Sequence, residues 1–210
     1  MASKFIPLSG ATSLKIVVIY PGVGYGTQRY VESRLEEEVL PSIGSVPVLV
    51  VIPALNSTQW SEVVGDIYQY AKDTGLSLHP GAIVGWSGGA RGVGTAISAG
   101  HDFPEILLAD PSPLEAAFAD DRVRMWYQPA NWKGSLAHLG PRQERYAEGM
   151  GNRAELVDLD HNEIFDLVAT VAITEQASKW GALGVALAVA VPGSIAILLL
   201  IWAIRRRRRL

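Results

Sequence analysis

Residues 82–89 read Ala-Ile-Val-Gly-Trp-Ser-Gly-Gly, and this stretch decides how the rest of the chain is read. Residues 82–86 (AIVGW) form an apolar run of the length of a buried strand. Residues 89–99 (GARGVGTAISA) are rich in small side chains, as a helix must be to lie close on a sheet. Between them Gly85-Trp86-Ser87-Gly88-Gly89 matches G-x-S-x-G. A hydroxyl nucleophile on a sharp strand-to-helix turn sits in a strained backbone, and only small neighbours let strand and helix approach each other. A glycine-rich turn with no chemistry is the plain alternative; the apolar strand before Ser87 and the small-residue helix after it favour the nucleophile.

Working outward, short apolar runs alternate with helical stretches. Residues 15–20 (KIVVIY) predict a buried strand, followed by the loop Pro21-Gly22-Val23-Gly24-Tyr25-Gly26. Residues 28–39 predict a charged amphipathic helix stopped at Pro41, residues 46–52 a strand, and residues 60–72 a helix ending near Gly75. After the Ser87 turn come a strand at 105–109 (EILLA) and a capping-box pattern at Ser112-Pro113-Leu114-Glu115. A strand at 123–127, a polar helix at 141–148, a strand at 154–159 and a helix at 162–175 complete the pattern. Such alternation predicts an α/β domain, a three-layer αβα sandwich on a mostly parallel sheet. On this reading about 14 residues precede the first strand.

A serine hydroxyl needs a base to take its proton at neutral pH. His161, just after the last predicted strand, completes the chain order Ser, acid, His expected when all three stand at strand ends. A surface histidine at a helix start, capped by Asp160 and Glu163, is the alternative. The base needs a carboxylate to orient it. Asp110 follows the strand 105–109 directly and is the candidate, against a simple turn residue opening Asp-Pro-Ser-Pro. Asp158 and Asp160 are nearer His161 in sequence but poorly placed to point back at it. An oxyanion would be held by the backbone N–H of Gly88 and by a second donor from the loop after the first strand, where Val23 is the choice. That loop lacks the lysine of a Walker loop and the spacing of G-x-G-x-x-G, so a phosphate cradle is not supported.

Over roughly residues 14–176 these features resemble the α/β-hydrolase superfamily. Gly85 to Gly89 looks like its nucleophile elbow, and Pro21-Gly22-Val23 looks like its oxyanion loop, with Tyr20-Pro21 in place of the usual histidine. The acid of that family normally follows the strand that here is 123–127, and Gln128-Pro129-Ala130-Asn131 offers no carboxylate; Asp110 stands one strand earlier, a position some lipase-like members use. The resemblance implies a minimal, cutinase-like serine hydrolase without a lid domain, acting through an acyl-enzyme on small-molecule or lipid-like acyl substrates, and no cofactor. An amidase or peptidase of the same fold, and a hydrolase-like domain that only binds, are the other readings.

Composition bounds the rest. There is no cysteine, so no disulfide, thiolate metal site or cysteine nucleophile exists. The histidines His79, His101, His138 and His161 lack the i,i+4 pairing of a helical metal site, and no metal is expected. Residues 181–204 run 24 positions without a charge, bracketed by Lys179-Trp180 and by Trp202 with Arg205 to Arg209. About 20 apolar residues span a bilayer, so this stretch predicts one C-terminal transmembrane helix, with Pro192-Gly193 as a tolerated interruption. The chain therefore divides into a catalytic domain (1–178), an anchor (179–204) and a basic tail (205–210). Without the five terminal arginines the chain has 13 basic residues against 21 acidic ones, which excludes a nucleic-acid binder. A cleavable signal peptide is not expected from residues 1–13. The positive-inside bias places the arginines in the cytoplasm and the domain outside; a tail-anchored domain facing the cytoplasm is the other topology.

Overall fold

A computed structural model of the chain describes residues 2–23, 27–101, 103–112 and 120–181. A seven-stranded sheet has the order β1-β3-β2-β4-β5-β6-β7. Its strands are β1 (Lys4–Pro7), β2 (Ser13–Tyr20), β3 (Val48–Ile52), β4 (Ser77–Trp86), β5 (Glu105–Ala109), β6 (Val123–Tyr127) and β7 (Ala154–Leu156). Only the pairing of β1 with β3 is antiparallel; every other pair is parallel. The helices are α1 (Thr27–Arg34), α2 (Leu40–Ile43), α3 (Trp60–Thr74), α4 (Ala90–Ser98), α5 (Leu139–Met150) and α6 (His161–Gly181).

Strand alternation divides the core in two. Ile16, Val18 and Tyr20 of β2, Ile83 of β4 and Leu108 of β5 face one side, where Trp60 and Val63 of α3, Val93 of α4 and Met150 of α5 close over them. Val17, Ile19, Val84, Trp86 and Leu107 face the other side, under Val31 of α1 and Ile164, Phe165, Val168 and Ala172 of α6. The three-layer αβα architecture read from the sequence is this arrangement. Both faces of the central strands are covered, which is why they read as continuous apolar runs rather than alternating ones. Fully burying each Val, Leu or Ile contributes about 1.5–3 kcal/mol.

Several boundaries differ from the sequence expectation. β1 lies before the expected first strand; its four residues carry too little pattern to be read alone, and it is held by pairing with Leu49 to Ile52. β4 reaches back to Ser77 through Pro80 and Gly81, with a register shift opposite Ile16/Val17 that absorbs the proline. The helical run from α1 does not stop at Pro41. A π-helical turn at Leu35–Val39 leads into α2, where Pro41 is the second residue and leaves the continuing run one N–H short. β7 ends at Leu156, α6 begins one residue earlier than expected and continues to Gly181, and residues 87–89 form a 3₁₀ turn before α4. The capping box at 112–115 extends into 113–119, outside the described residues. The apolar stretch 181–204 lies outside them as well, apart from the last residue of α6. Among the described residues no helix is long and apolar enough to cross a membrane.

Candidate active site

The C-terminal ends of the parallel strands form one rim, and the candidate residues lie along it. Ser87 follows β4 and Asp110 follows β5; among the described residues these are the two non-glycine positions with positive φ, 53° and 41°. Backbone of that kind costs of order 1–3 kcal/mol and persists only where surrounding bonds enforce it. Here Asp110 N–H donates to Trp126 O at 2.7 Å, and Ser112 N–H donates to Ser87 O at 2.9 Å, so the two turns hold each other. The glycines of the elbow are needed sterically. A Cβ on Gly85 would stand 2.7 Å from Val93 Cγ2, and one on Gly89 would run into the carbonyls of Tyr20 and Pro21.

Asp110 is completely buried, and its carboxylate accepts four hydrogen bonds. Oδ1 takes Gln128 N–H at 3.2 Å and Gln143 Nε2 at 2.9 Å, while Oδ2 takes Asn131 Nδ2 at 3.0 Å and His161 Nδ1 at 2.7 Å. Burial pushes this carboxyl up; the hydrogen bonds from His161, Asn131 and Gln143, with attraction to the imidazole, outweigh it and hold Asp110 below the ordinary 3.8. The segment after β6, which carries no acid, thus supplies donors to the acid one strand away. Gln143 is itself buried; its Nε2 also donates to Pro111 O at 3.1 Å, and its Oε1 accepts Trp132 Nε1–H at 3.1 Å.

His161 opens α6. Asp160 caps that helix, its Oδ1 accepting the N–H groups of Asn162 and Glu163 at 2.9 and 2.8 Å, and Glu163 Oε2 returns a bond to Asp160 N–H at 3.0 Å. The cap occupies Asp160, which leaves the imidazole free to reach Asp110. With Nδ1–H donating to Asp110, Nε2 carries the lone pair. The ring lies against Trp86 (centroids 5.1 Å) and edge-on to Trp132 (6.0 Å). Trp86 Nε1–H donates to His161 O at 3.2 Å, and its indole stacks on Tyr30.

The structure thus joins Asp110 to His161 directly, and joins His161 to the residue before Ser87. Among the described residues no hydrogen bond links Ser87 Oγ to the imidazole. The oxyanion candidates also meet. A Cβ on Gly22 would stand 3.4 Å from Ser87 Cβ, and Val23 Cγ2 fills the space over Gly88. Asn56 Nδ2 donates to Gly88 O at 3.2 Å and so holds the Gly88–Gly89 peptide, the next one after that carrying the Gly88 N–H. Sequence reasoning assigned no role to Asn56, Asn131, Gln143, Trp86 and Trp132, since neutral side chains carry no charge or spacing that marks them as partners of a distant residue. The other histidines lie elsewhere. His79 bonds Ser13 and Ser77 at the opposite end of the sheet, His101 Nδ1 accepts Phe103 N–H, and His138 contacts Ser135 O. No cluster of three or more His, Asp or Glu suited to a metal occurs among the described residues.

No protein-family profile matches the chain, and no curated protein does. Among solved structures the chain is similar to Est1E from Butyrivibrio proteoclasticus, with 12% identity, TM-score 0.50, and coverage of 83% of this chain and 93% of that one. It is also similar to a predicted CIB-like hydrolase from Thermoplasma acidophilum (14% identity, TM-score 0.48, 80% and 95% covered). An IroE-like serine hydrolase from Shewanella oneidensis matches at 11% identity and TM-score 0.48, covering 83% and 73%. The likeness to Est1E, together with the sheet order and the strand-to-helix turn at Ser87, makes the fold α/β-hydrolase-like.

Proposed function

We propose that the chain is a serine hydrolase that cleaves carboxylic esters through an acyl-enzyme. The observation that carries this reading is the Asp110–His161 hydrogen bond of 2.7 Å on the rim that holds the strained turn at Ser87. In the proposed reaction Ser87 Oγ attacks the acyl carbonyl while His161 Nε2 takes its proton. The buried carboxylate of Asp110 stabilises the imidazolium that results. Backbone N–H groups of Gly88 and Val23 receive the oxyanion. The intermediate collapses as the C–O bond breaks and His161 returns the proton to the departing alcohol. Water then attacks the acyl-enzyme with His161 again as base, releasing the acid and restoring Ser87.

In this reading Ser87 Oγ meets the imidazole that lies against Trp86, the residue before it in the chain. An ester is the first substrate class to assay; an amide passes through the same type of intermediate and is the second. The missing acid after β6 favoured a binding-only domain, and Asp110 supports the catalytic reading instead, because it supplies the carboxylate from β5. The apolar stretch 181–204 is proposed as a single-pass anchor that holds the domain at a membrane.

Full-length chain in detergent is expected to label with a fluorophosphonate probe and to hydrolyse short-chain p-nitrophenyl esters. Ser87→Ala should abolish both. Hydrolysis that survives this substitution, or wild-type protein that folds but takes no label, refutes the assignment.

A further inference from the structure

We infer that the active-site rim faces away from the bilayer the chain is anchored in, so that its substrates are esters arriving through water and not the lipids of that bilayer. This rests on the serine hydrolase reading for the substrate and on the proposed anchor for the surface. The geometry comes from α6. Its first residue, His161, is tied to Asp110 beyond the end of β5. Its last turns are tied to the start of the same strand: Gln176 Nε2 donates to Glu105 Oε2 at 2.6 Å, and Lys179 pairs with the other oxygen of Glu105. The helix therefore runs antiparallel to the strands and crosses the whole sheet. Its 21 residues, at 1.5 Å per residue, put about 30 Å between the site and Gly181.

The apolar stretch begins where α6 ends. Lys179 is the last charged residue before Arg205, so no polar linker separates the folded domain from the expected span. An anchor that starts directly after Lys179 would hold the N-terminal edge of the parallel strands, where α6 ends, at the bilayer surface. That edge carries basic side chains and, beside them, the acids Glu105, Asp120 and Asp121. Lys15 lies in the lower part of β2, Arg122 and Arg153 directly precede β6 and β7, and Lys179 stands beside Glu105. Asp120 offsets Arg122 there. Asp158, Asp160 and Glu163 lie on the other rim, together with Arg91, Lys133 and Arg142.

Because the chain has no cysteine, one introduced thiol reports height above the membrane without relying on catalysis. Leu55→Cys places a dye at the site rim, where Leu55 is 52% exposed and adjoins Asn56. Ser77→Cys places one at the exposed start of β4. The nine steps along β4 from Ser77 to Trp86 span about 30 Å. With full-length chain in anionic vesicles carrying a headgroup acceptor dye, energy transfer from position 77 should exceed that from position 55, given a height difference of about 30 Å. The same vesicles should hydrolyse a soluble p-nitrophenyl ester and spare a fluorogenic ester lipid of equal acyl length in their own bilayer. Equal transfer from the two positions, stronger transfer from position 55, or cleavage of the resident lipid as fast as the soluble ester overturns the inference. So does failure of the chain to float with vesicles, which removes the anchor. The predicted transfer pattern without cleavage of either ester overturns the substrate claim through the hydrolase reading, and the orientation stands.

Discussion

Replacing Asp110 by Asn separates the electrostatic role of this residue from its shape. The carboxylate accepts four hydrogen bonds, two on each oxygen, in a site with no exposure. An amide keeps one oxygen and turns the other into an NH₂ donor. If NH₂ takes the Oδ1 place, it confronts the donors Gln128 N–H and Gln143 Nε2; if it takes the Oδ2 place, it confronts Asn131 Nδ2 and His161 Nδ1–H. Either way two buried donors lose their acceptor, at about 1–3 kcal/mol each before relaxation. Rotation of the Asn131 or Gln143 amide recovers part of this, so Asp110→Asn should lower unfolding stability by about 2–4 kcal/mol. The backbone N–H of Gln128 cannot flip, which favours the oxygen on its side and turns the amide NH₂ toward His161. The imidazole then relieves the conflict by shifting its proton to Nε2, and a histidine protonated there cannot take the proton of Ser87. The expected loss in kcat/KM is about 10⁴-fold, the scale of a wrong-tautomer defect. Urea unfolding gives the first quantity and p-nitrophenyl ester kinetics the second. A variant within tenfold of wild-type kcat/KM, with unchanged stability, would refute both the role of Asp110 and the account of its four donors.

Gln143→Leu should lower stability by about 1.5–3 kcal/mol through loss of a charge-assisted bond to Asp110, and should quench or shift Trp132 fluorescence as its N–H loses Gln143 Oε1; denaturant titration and emission spectra check this. Gly89→Ala should cost at least about 1–3 kcal/mol, since its Cβ meets backbone oxygens of Tyr20 and Pro21 that cannot rotate away, whereas at Gly88 it meets the end of Val23, which can; comparing the two melting points tests the difference. Asp120 is held at about 2 by hydrogen bonds from Arg122, against 3.8 when unpaired, and Asp110 is also lowered. Folded-state values below the unfolded ones mean that both stabilise above about pH 4 and lose that contribution as pH falls toward 2. Stability measured from pH 5 to 2 should fall, and less steeply in Asp120→Asn.

The local features of the chain were legible without coordinates because their causes are local. An apolar run ending in Gly-Trp-Ser-Gly-Gly predicts a strand, a tight turn and a close-packed helix, and the structure has β4, the turn at Ser87 and α4 there. Asp110 and His161 could be selected because each directly follows or closely trails a strand, and parallel strands end on one rim. β1 was hidden because four residues hold too little pattern and its pairing partner is more than forty positions away.

What the sequence by itself determined, then, is six of the seven strands, the main helices and three candidate residues at strand ends, since periodicity and turn chemistry act over a few residues. Only the tertiary structure decided that Asp110 meets His161, across 51 positions. It also decided that Gln128, Asn131 and Gln143 surround that carboxylate. Those contacts depend on which strands lie side by side and on how α5 packs over β6, and no short stretch of chain encodes either.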